Sequence, residues 1–187
     1  MLAVEPPPDR EPIVRAAAIR NDGSGDVDAL LARVVAVESA CGRRLRGLLM
    51  TFPDGRDSCQ CAMELVDVAT GDVYRVSQAL GAGSDACRAD TAAFARASGV
   101  LRRALAERDD LDLVVCNRFG TLESQGGGFV AELLELMAAG IPVLTVVSSR
   151  HLDAWERITG GATLLAPEEG AIRSWIAASL ARDATSD

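Results

Sequence analysis

Short apolar runs alternate along this chain with longer stretches in which apolar residues recur every three or four positions. Residues 13–19 are apolar and bounded by polar ones, and after a Gly-rich turn the apolar positions of 27–37 fall at helical spacing. A strand, a loop and a helix are predicted. Residues 45–52 supply a second strand, and Pro53-Asp54-Gly55 behind it is turn chemistry. Residues 62–68 and 73–77 flank Ala69-Thr70-Gly71-Asp72, the pattern of an antiparallel β-hairpin with a Gly-containing loop. Gly81-Ala82-Gly83-Ser84-Asp85 reads as a flexible connection ahead of an amphipathic helix over 90–106. Residues 111–116 are almost continuously apolar, as suits a strand covered on both faces. A polar, glycine-rich loop at 117–128 then leads to a helix at 129–139 and a buried strand at 142–147. A short helix at 152–158, a small strand at 162–165 and a helix at 168–180 complete the pattern.

Strands that alternate with helices predict an α/β fold of three layers, with helices on both faces of a mostly parallel sheet and the hairpin inserted into it. In such a sheet ligands bind beyond the carboxyl ends of the strands. The loops after Ile19, Cys116 and Val147 are therefore expected on one edge. A chain of 187 residues, 49% hydrophobic, closes one core of ordinary size, so a single domain is expected over 13–181. Residues 1–12 and 182–187 read as N-terminal and C-terminal tails.

Composition narrows the function classes. No apolar run approaches the roughly 20 residues needed to span a bilayer. The first residues lack a basic start followed by an apolar stretch, so no secretory signal is read there. The five cysteines are an odd number, which with no export signal suggests reduced thiols and a cytoplasmic protein. A net charge of -8 argues against a nucleic-acid partner, because no broad basic surface is available to neutralise phosphates. All 19 basic residues are arginine, which excludes every lysine-dependent mechanism.

That absence matters at the first turn, Asn21-Asp22-Gly23-Ser24-Gly25-Asp26-Val27-Asp28, which resembles a phosphate-binding loop without its lysine. Such a loop needs backbone N–H groups facing phosphate, a Lys on the β- and γ-phosphates and a Ser/Thr hydroxyl on magnesium. Asp26, Val27 and Asp28 stand in those places. Gly23, Ser24, Gly25 and Asp26 remain candidates for holding an anion at a helix N-terminus. The two aspartates also serve as ordinary helix-start residues, so a merely capped helix is the competing reading.

The second candidate block is Cys116-Asn117-Arg118-Phe119-Gly120-Thr121-Leu122-Glu123, delivered to the ligand edge by a buried strand. Asn117 and Arg118 occupy the places where a phosphate-hydrolysing enzyme of this architecture carries a magnesium-holding Asp and a water-positioning acid. Arg118 would hold an anion in a bidentate manner with help from Asn117 and Gly120, or would only brace the loop through a pair with Glu123 or another acid. Glu123 is the sole nearby carboxylate for catalysis. The third block is Cys59-Gln60-Cys61 with Cys87-Arg88 farther on, where thiols would bind a soft metal if folding brought them together. Cys41 and Cys116 lie in apolar segments, and His151, the one histidine, starts a short helix and reads as a surface residue.

These motifs, together with Cys61-Ala62-Met63-Glu64-Leu65, Val76-Ser77-Gln78-Ala79-Leu80-Gly81 and Gly140-Ile141-Pro142-Val143-Leu144, resemble the bacterial domain-of-unknown-function family DUF2478 over residues 13–181. That family is itself similar to the small P-loop nucleoside-triphosphatases. The resemblance implies a sheet of P-loop NTPase type and an accessory role near molybdate transport or molybdoenzymes. It also implies that Cys61, Cys87 and Arg118 share a site, since the family pattern has Cys at both positions and Asn, a basic residue, Phe and Gly at 117–120. Cys59 looks peculiar to this chain. The catalytic Lys, Asp and Glu of the related triphosphatases are absent.

The leading expectation is thus a catalytically degenerate protein binding a small anion such as a nucleotide, phosphate or molybdate through Gly23, Ser24, Gly25, Asp26, Asn117, Arg118 and Gly120. Arg88 and Cys87 would close over that ligand. Two alternatives stay open: a triphosphatase in which Arg replaces Lys and Glu123 orients water, and a metal-handling protein using Cys61 and Cys87. No resident metal and no membrane partner are expected under the first reading.

Overall fold

A computed structural model describes residues 14–23, 25–53, 62–79 and 87–181. Its main sheet has seven strands: β1 (Ala16–Asn21), β2 (Leu45–Thr51), β3 (Glu64–Asp67), β4 (Val73–Arg75), β7 (Leu113–Cys116), β8 (Val143–Ser148) and β9 (Thr163–Leu165). Two three-residue strands, β5 (Ser77–Ala79) and β6 (Cys87–Ala89), pair separately as an antiparallel hairpin. The spatial order is β4-β3-β2-β7-β8-β1-β9. Pairing is parallel from β2 to β9, while β3 and β4 extend the sheet antiparallel beyond β2. The inserted hairpin of the sequence pattern is this β3–β4 pair.

Among the described residues six α-helices connect or follow these strands: α1 (Val27–Ala40), α2 (Thr91–Ala106), α3 (Thr121–Ser124), α4 (Val130–Ala138), α5 (Leu152–Thr159) and α6 (Glu169–Ala181). Side-chain alternation along the strands sends successive residues to opposite faces, and each face is covered. Ala17 and Ile19 of β1, Leu113 and Val115 of β7, and Leu144 and Val146 of β8 pack with Val27, Leu31 and Val34 of α1 and Ile172 and Ile176 of α6. Their neighbours Ala16, Ala18, Val114, Cys116, Val143 and Val147 pack with Ala97 and Leu101 of α2, Leu133 and Leu136 of α4, and Trp155 of α5. The result is three layers, α/β/α, as the alternation predicts. Fully burying one such aliphatic side chain contributes about 1.5–3 kcal/mol, so both faces hold the sheet rigid beneath its loops.

Gly47 permits the central pairing of β2 with β7. Its φ is +123°, and a Cβ there would lie 1.8 Å from the Val115 carbonyl oxygen. Helix starts are set by acidic caps: Asp26 accepts from the Ala29 N–H and Asp90 from the Ala93 N–H, each at 3.0 Å. Among the described residues, no helix is long and apolar enough to cross a membrane.

Two details differ from the pattern reading. The loop at 117–128 contains the one-turn helix α3, and β5 and β6 flank the glycine-rich segment at 81–85, which lies outside the described residues. Elements this short span barely one period of their pattern, too little repetition for it to declare itself.

Candidate functional site

Because β1, β2, β7 and β8 run the same way, their carboxyl ends meet on one edge. Asn21 pairs in register with Ser148, Leu48 with Cys116, and an isolated bridge joins Phe119 to Val147. The three loops named from the sequence therefore do lie together.

The turn after β1 is closed by its own groups. Asn21 Oδ1 accepts from the Gly23 N–H at 3.0 Å, and Gly23 takes φ +84°. The Val27 N–H donates to the Gly25 carbonyl at 3.2 Å while Asp26 caps the Ala29 N–H. Gly23, Gly25 and Asp26 are exposed, and Ser24 lies outside the described residues. Asp28 is different: in the first turn of α1 it is 5% exposed and its carboxylate faces inward. Its Oδ1 accepts from Asn117 Nδ2 at 2.8 Å and its Oδ2 from Arg118 Nη2 at 2.5 Å.

The loop after β7 is built around buried polar groups. Asn117 is wholly buried, its N–H donating to the Leu48 carbonyl, and the Asn117–Arg118 peptide bond is cis. The Arg118 guanidinium lies 5.8 Å from the centroid of the Phe52 ring, within reach of a cation–π attraction. Glu123 is 4% exposed, and both its oxygens are engaged by backbone: Oε2 accepts from the Gly120 N–H at 3.0 Å and Oε1 from the Phe129 N–H at 3.2 Å. Burial raises its pKa above the ordinary value, and those backbone N–H groups offset only part of the rise. Gly128, at φ +57°, is required by this seat, because a Cβ there would meet Glu123 Oε1 at 1.9 Å. Cys116, at the end of β7, is pushed well up by burial, with Glu123 and Glu132 adding to the shift, so its thiol is inert at neutral pH.

A cavity of about 500 Å³ opens beyond β2, β7 and β8. Met50, Phe52, Met63, Phe94 and Phe129 give it apolar and aromatic walls, while Asn117, Arg118, Thr121, Arg150 and His151 give it polar ones. Two fully buried atoms of these lining residues, Asn117 Oδ1 and Arg118 Nε, have no hydrogen-bond partner among the described residues. His151 Nε2 is 3.4 Å from Thr121 Oγ1, and burial, then the neighbouring Arg150, lowers the His151 pKa.

Of the residues singled out from the sequence, the fold brings Asn117, Arg118, Gly120 and Glu123 to this cavity. Gly23, Gly25 and Asp26 sit at the same sheet edge, yet none of these three lines it. The pairing of Arg118 is with Asp28, a residue otherwise legible only as a helix-start aspartate. Arg150 and His151 at the rim also carried no signal beyond their place after a buried strand. Cys59 and Cys61 lie outside the described residues, as do the side chains of Cys87 and Arg88. Cys41 is exposed at the end of α1. Among the described residues no three His, Cys, Asp or Glu side chains gather to hold a metal.

The architecture is that of the P-loop NTPases. A solved structure, the solution structure of a human cancer-related nucleoside triphosphatase, superposes with a TM-score of 0.62 at 14% identity, covering 92% of this chain and 99% of that one. Among curated proteins, the molybdenum import ATP-binding protein ModC 2 of Bradyrhizobium diazoefficiens is 38% identical over 162 residues. These make up 86% of this chain and 18% of the relative, so the chain spans less than a fifth of that protein's length. The family described as Protein of unknown function (DUF2478) matches residues 16–175, and this chain belongs to it.

Proposed function

We propose that this protein binds a small anionic ligand at the carboxyl edge of its sheet and does not hydrolyse it. The observation that carries the reading is the state of Asp28. A carboxylate in the first turn of α1, where a P-loop enzyme places the hydroxyl that helps hold magnesium, is bonded to Asn117 and Arg118. The adjacent carboxylates are engaged as well, since Asp26 caps a helix and Glu123 binds two backbone N–H groups. Hydrolysis needs a metal-holding acid and a water-orienting group in reach of the γ-phosphate. Losing such electrostatic groups costs about 100- to 1,000-fold in rate each, so the loss of several leaves little turnover.

A nucleotide, phosphate or molybdate is the class of ligand this reading takes. The name of the Bradyrhizobium relative, molybdenum import and ATP binding, favours a place beside molybdenum uptake, with a transport component or a molybdoenzyme as partner. Titration calorimetry with ATP, GTP, phosphate and molybdate, each with magnesium, tests the binding. Heat from at least one with no phosphate release is expected. No heat from any removes the proposal, and a magnesium-dependent turnover lost in Glu123→Gln would install the triphosphatase reading in its place.

A further inference from the structure

We infer that the cavity beyond β2, β7 and β8 takes a hydrocarbon aromatic ring carrying a single acidic head, an aryl carboxylate or aryl phosphate rather than a nucleotide. The inference rests on reading this edge as an anion-binding site, and it adds an apolar body to the anion.

The chain has four phenylalanines, and all of them, Phe52, Phe94, Phe119 and Phe129, line this one cavity. They arrive from four separate segments: just after β2, the first turn of α2, the loop after β7 and the residue before α4. The two sheet faces otherwise rely chiefly on Ala, Val, Leu and Ile. Phe119 and Phe129 are fully buried and belong to the core, Phe119 meeting the Trp155 ring edge-on at 5.4 Å. Phe52 and Phe94 are only half-buried, as are Met50 and Met63 on the same cavity. Four large apolar side chains left partly open around one hollow make a seat for an apolar occupant. The Phe94 and Phe129 rings lie 5.2 Å apart and tilted by 42°, and a third ring extends such a pair in the tilted geometry that aromatic groups prefer. The thioethers of Met50 and Met63 adapt to a ring edge.

These walls separate the candidate ligands. A nucleobase or ribose would set its hydrogen-bonding atoms against phenyl and thioether groups and lose their bonds to water. A hydrocarbon ring loses nothing there, and a bare oxyanion leaves the walls unused. The head is read from the polar side. Arg118 already serves Asp28, and Glu123 has both oxygens on backbone N–H groups, which leaves Arg150 as the lining cation for a ligand. Arg150 is exposed, and a guanidinium fork matches two oxygens of a carboxylate or phosphate. Thr121 Oγ1 and His151 Nε2, 3.4 Å apart, bring a hydroxyl and an imidazole to the same cavity. Burial and the neighbouring Arg150 lower the His151 pKa, so one positive charge rather than two meets the head at neutral pH. A volume of about 500 Å³ holds one ring with a short tether.

Isotope labelling of the whole chain at its methionine methyls gives a direct readout by NMR, because a bound ring shifts the methyl signals beside it. On titration with phenylacetate, Met50 and Met63 are expected to shift while Met137, which does not line the cavity, stays in place. Calorimetry should rank phenylacetate or phenyl phosphate about tenfold or more above acetate, the head without the ring. Whichever of the two binds tighter identifies the head as carboxylate or phosphate. Phe94→Ala, checked for folding by its thermal melt, should cost the aryl acids about tenfold. Arg150→Ala, a surface change, should weaken phenylacetate about threefold and leave its uncharged counterpart, phenylethanol, unchanged. If Phe94→Ala does not fold, the methyl shifts and Arg150→Ala decide the question. Unmoved Met50 and Met63, equal binding of acid and alcohol, or AMP binding as tightly as the aryl acids overturns this inference. Heat from ATP, phosphate or molybdate would then leave the anion-binding reading standing, and silence from every probe removes both.

Discussion

The two turns at the ligand edge differ in where their polar groups are spent. The turn after β1 is exposed and ties up its atoms locally, Asn21 with Gly23 and Asp26 with Ala29. The loop after β7 instead buries Asn117 and Glu123 and reaches 90 positions back along the chain to seat Arg118 on Asp28. In a nucleotide-hydrolysing P-loop protein the first turn carries much of the ligand's charge. Here the described residues of the first turn make local helix-start contacts, and the second loop holds the buried and unmet polar groups. On the proposed reading, the edge keeps its geometry while its chemistry moves from β1 to β7, with β8 between them.

That contrast is broken most severely at Arg118. Arg118→Ala takes the Arg118 guanidinium from the buried Asp28 carboxylate, and removing one partner of such a pair costs about 3–5 kcal/mol. Chemical denaturation should read a loss near the lower end, because Arg118 is 24% exposed. A loss under about 1 kcal/mol, as for a surface pair, would put the two turns on an equal footing. Next comes Gly128→Ala, which forces a Cβ into Glu123 Oε1 at positive φ. A loss of about 2–3 kcal/mol is expected from strain and the displaced carboxylate.

Smaller effects belong to the first turn. Asp26→Ala removes one helix cap, with an expected loss of about 1 kcal/mol, and Gly25→Ala, which meets open space, should stay within about 0.5 kcal/mol. If either costs more than Gly128→Ala, the division of labour between the turns is wrong. The last measurement is a slope with pH. Glu123 has a raised pKa in the folded state, so it binds its proton more tightly there than in the unfolded chain. Its contribution is then fully present below its ordinary value of 4.5 and is lost as pH rises through the raised one. The stability of the wild type relative to Glu123→Gln should fall as pH rises from 4.5, and a flat difference would show a carboxylate that titrates normally.

Much of this was legible in the chain, for physical reasons. Apolar runs such as those ending at Cys116 and Val147 can only be covered strands, and covered parallel strands put their following loops on one edge. Asn117, Arg118 and Glu123 could be placed there because a strand end fixes position. What escaped was partnership. Whether Arg118 would meet Glu123 or another acid depends on the crossing of α1 over the sheet, which no local pattern encodes, and the choice fell on Asp28. Arg150 and His151 were silent for the same reason, since a rim is defined by what stands opposite it.

The Asp28–Arg118 pair also restricts how this sequence can change. Asp28→Thr would offer a metal-binding hydroxyl but strand a half-buried guanidinium. Arg118→Asp would offer an acid but set it against another carboxylate. Each such single step passes through a mismatched charge, so exchanging this pair for a hydroxyl and an acid has to change both residues together.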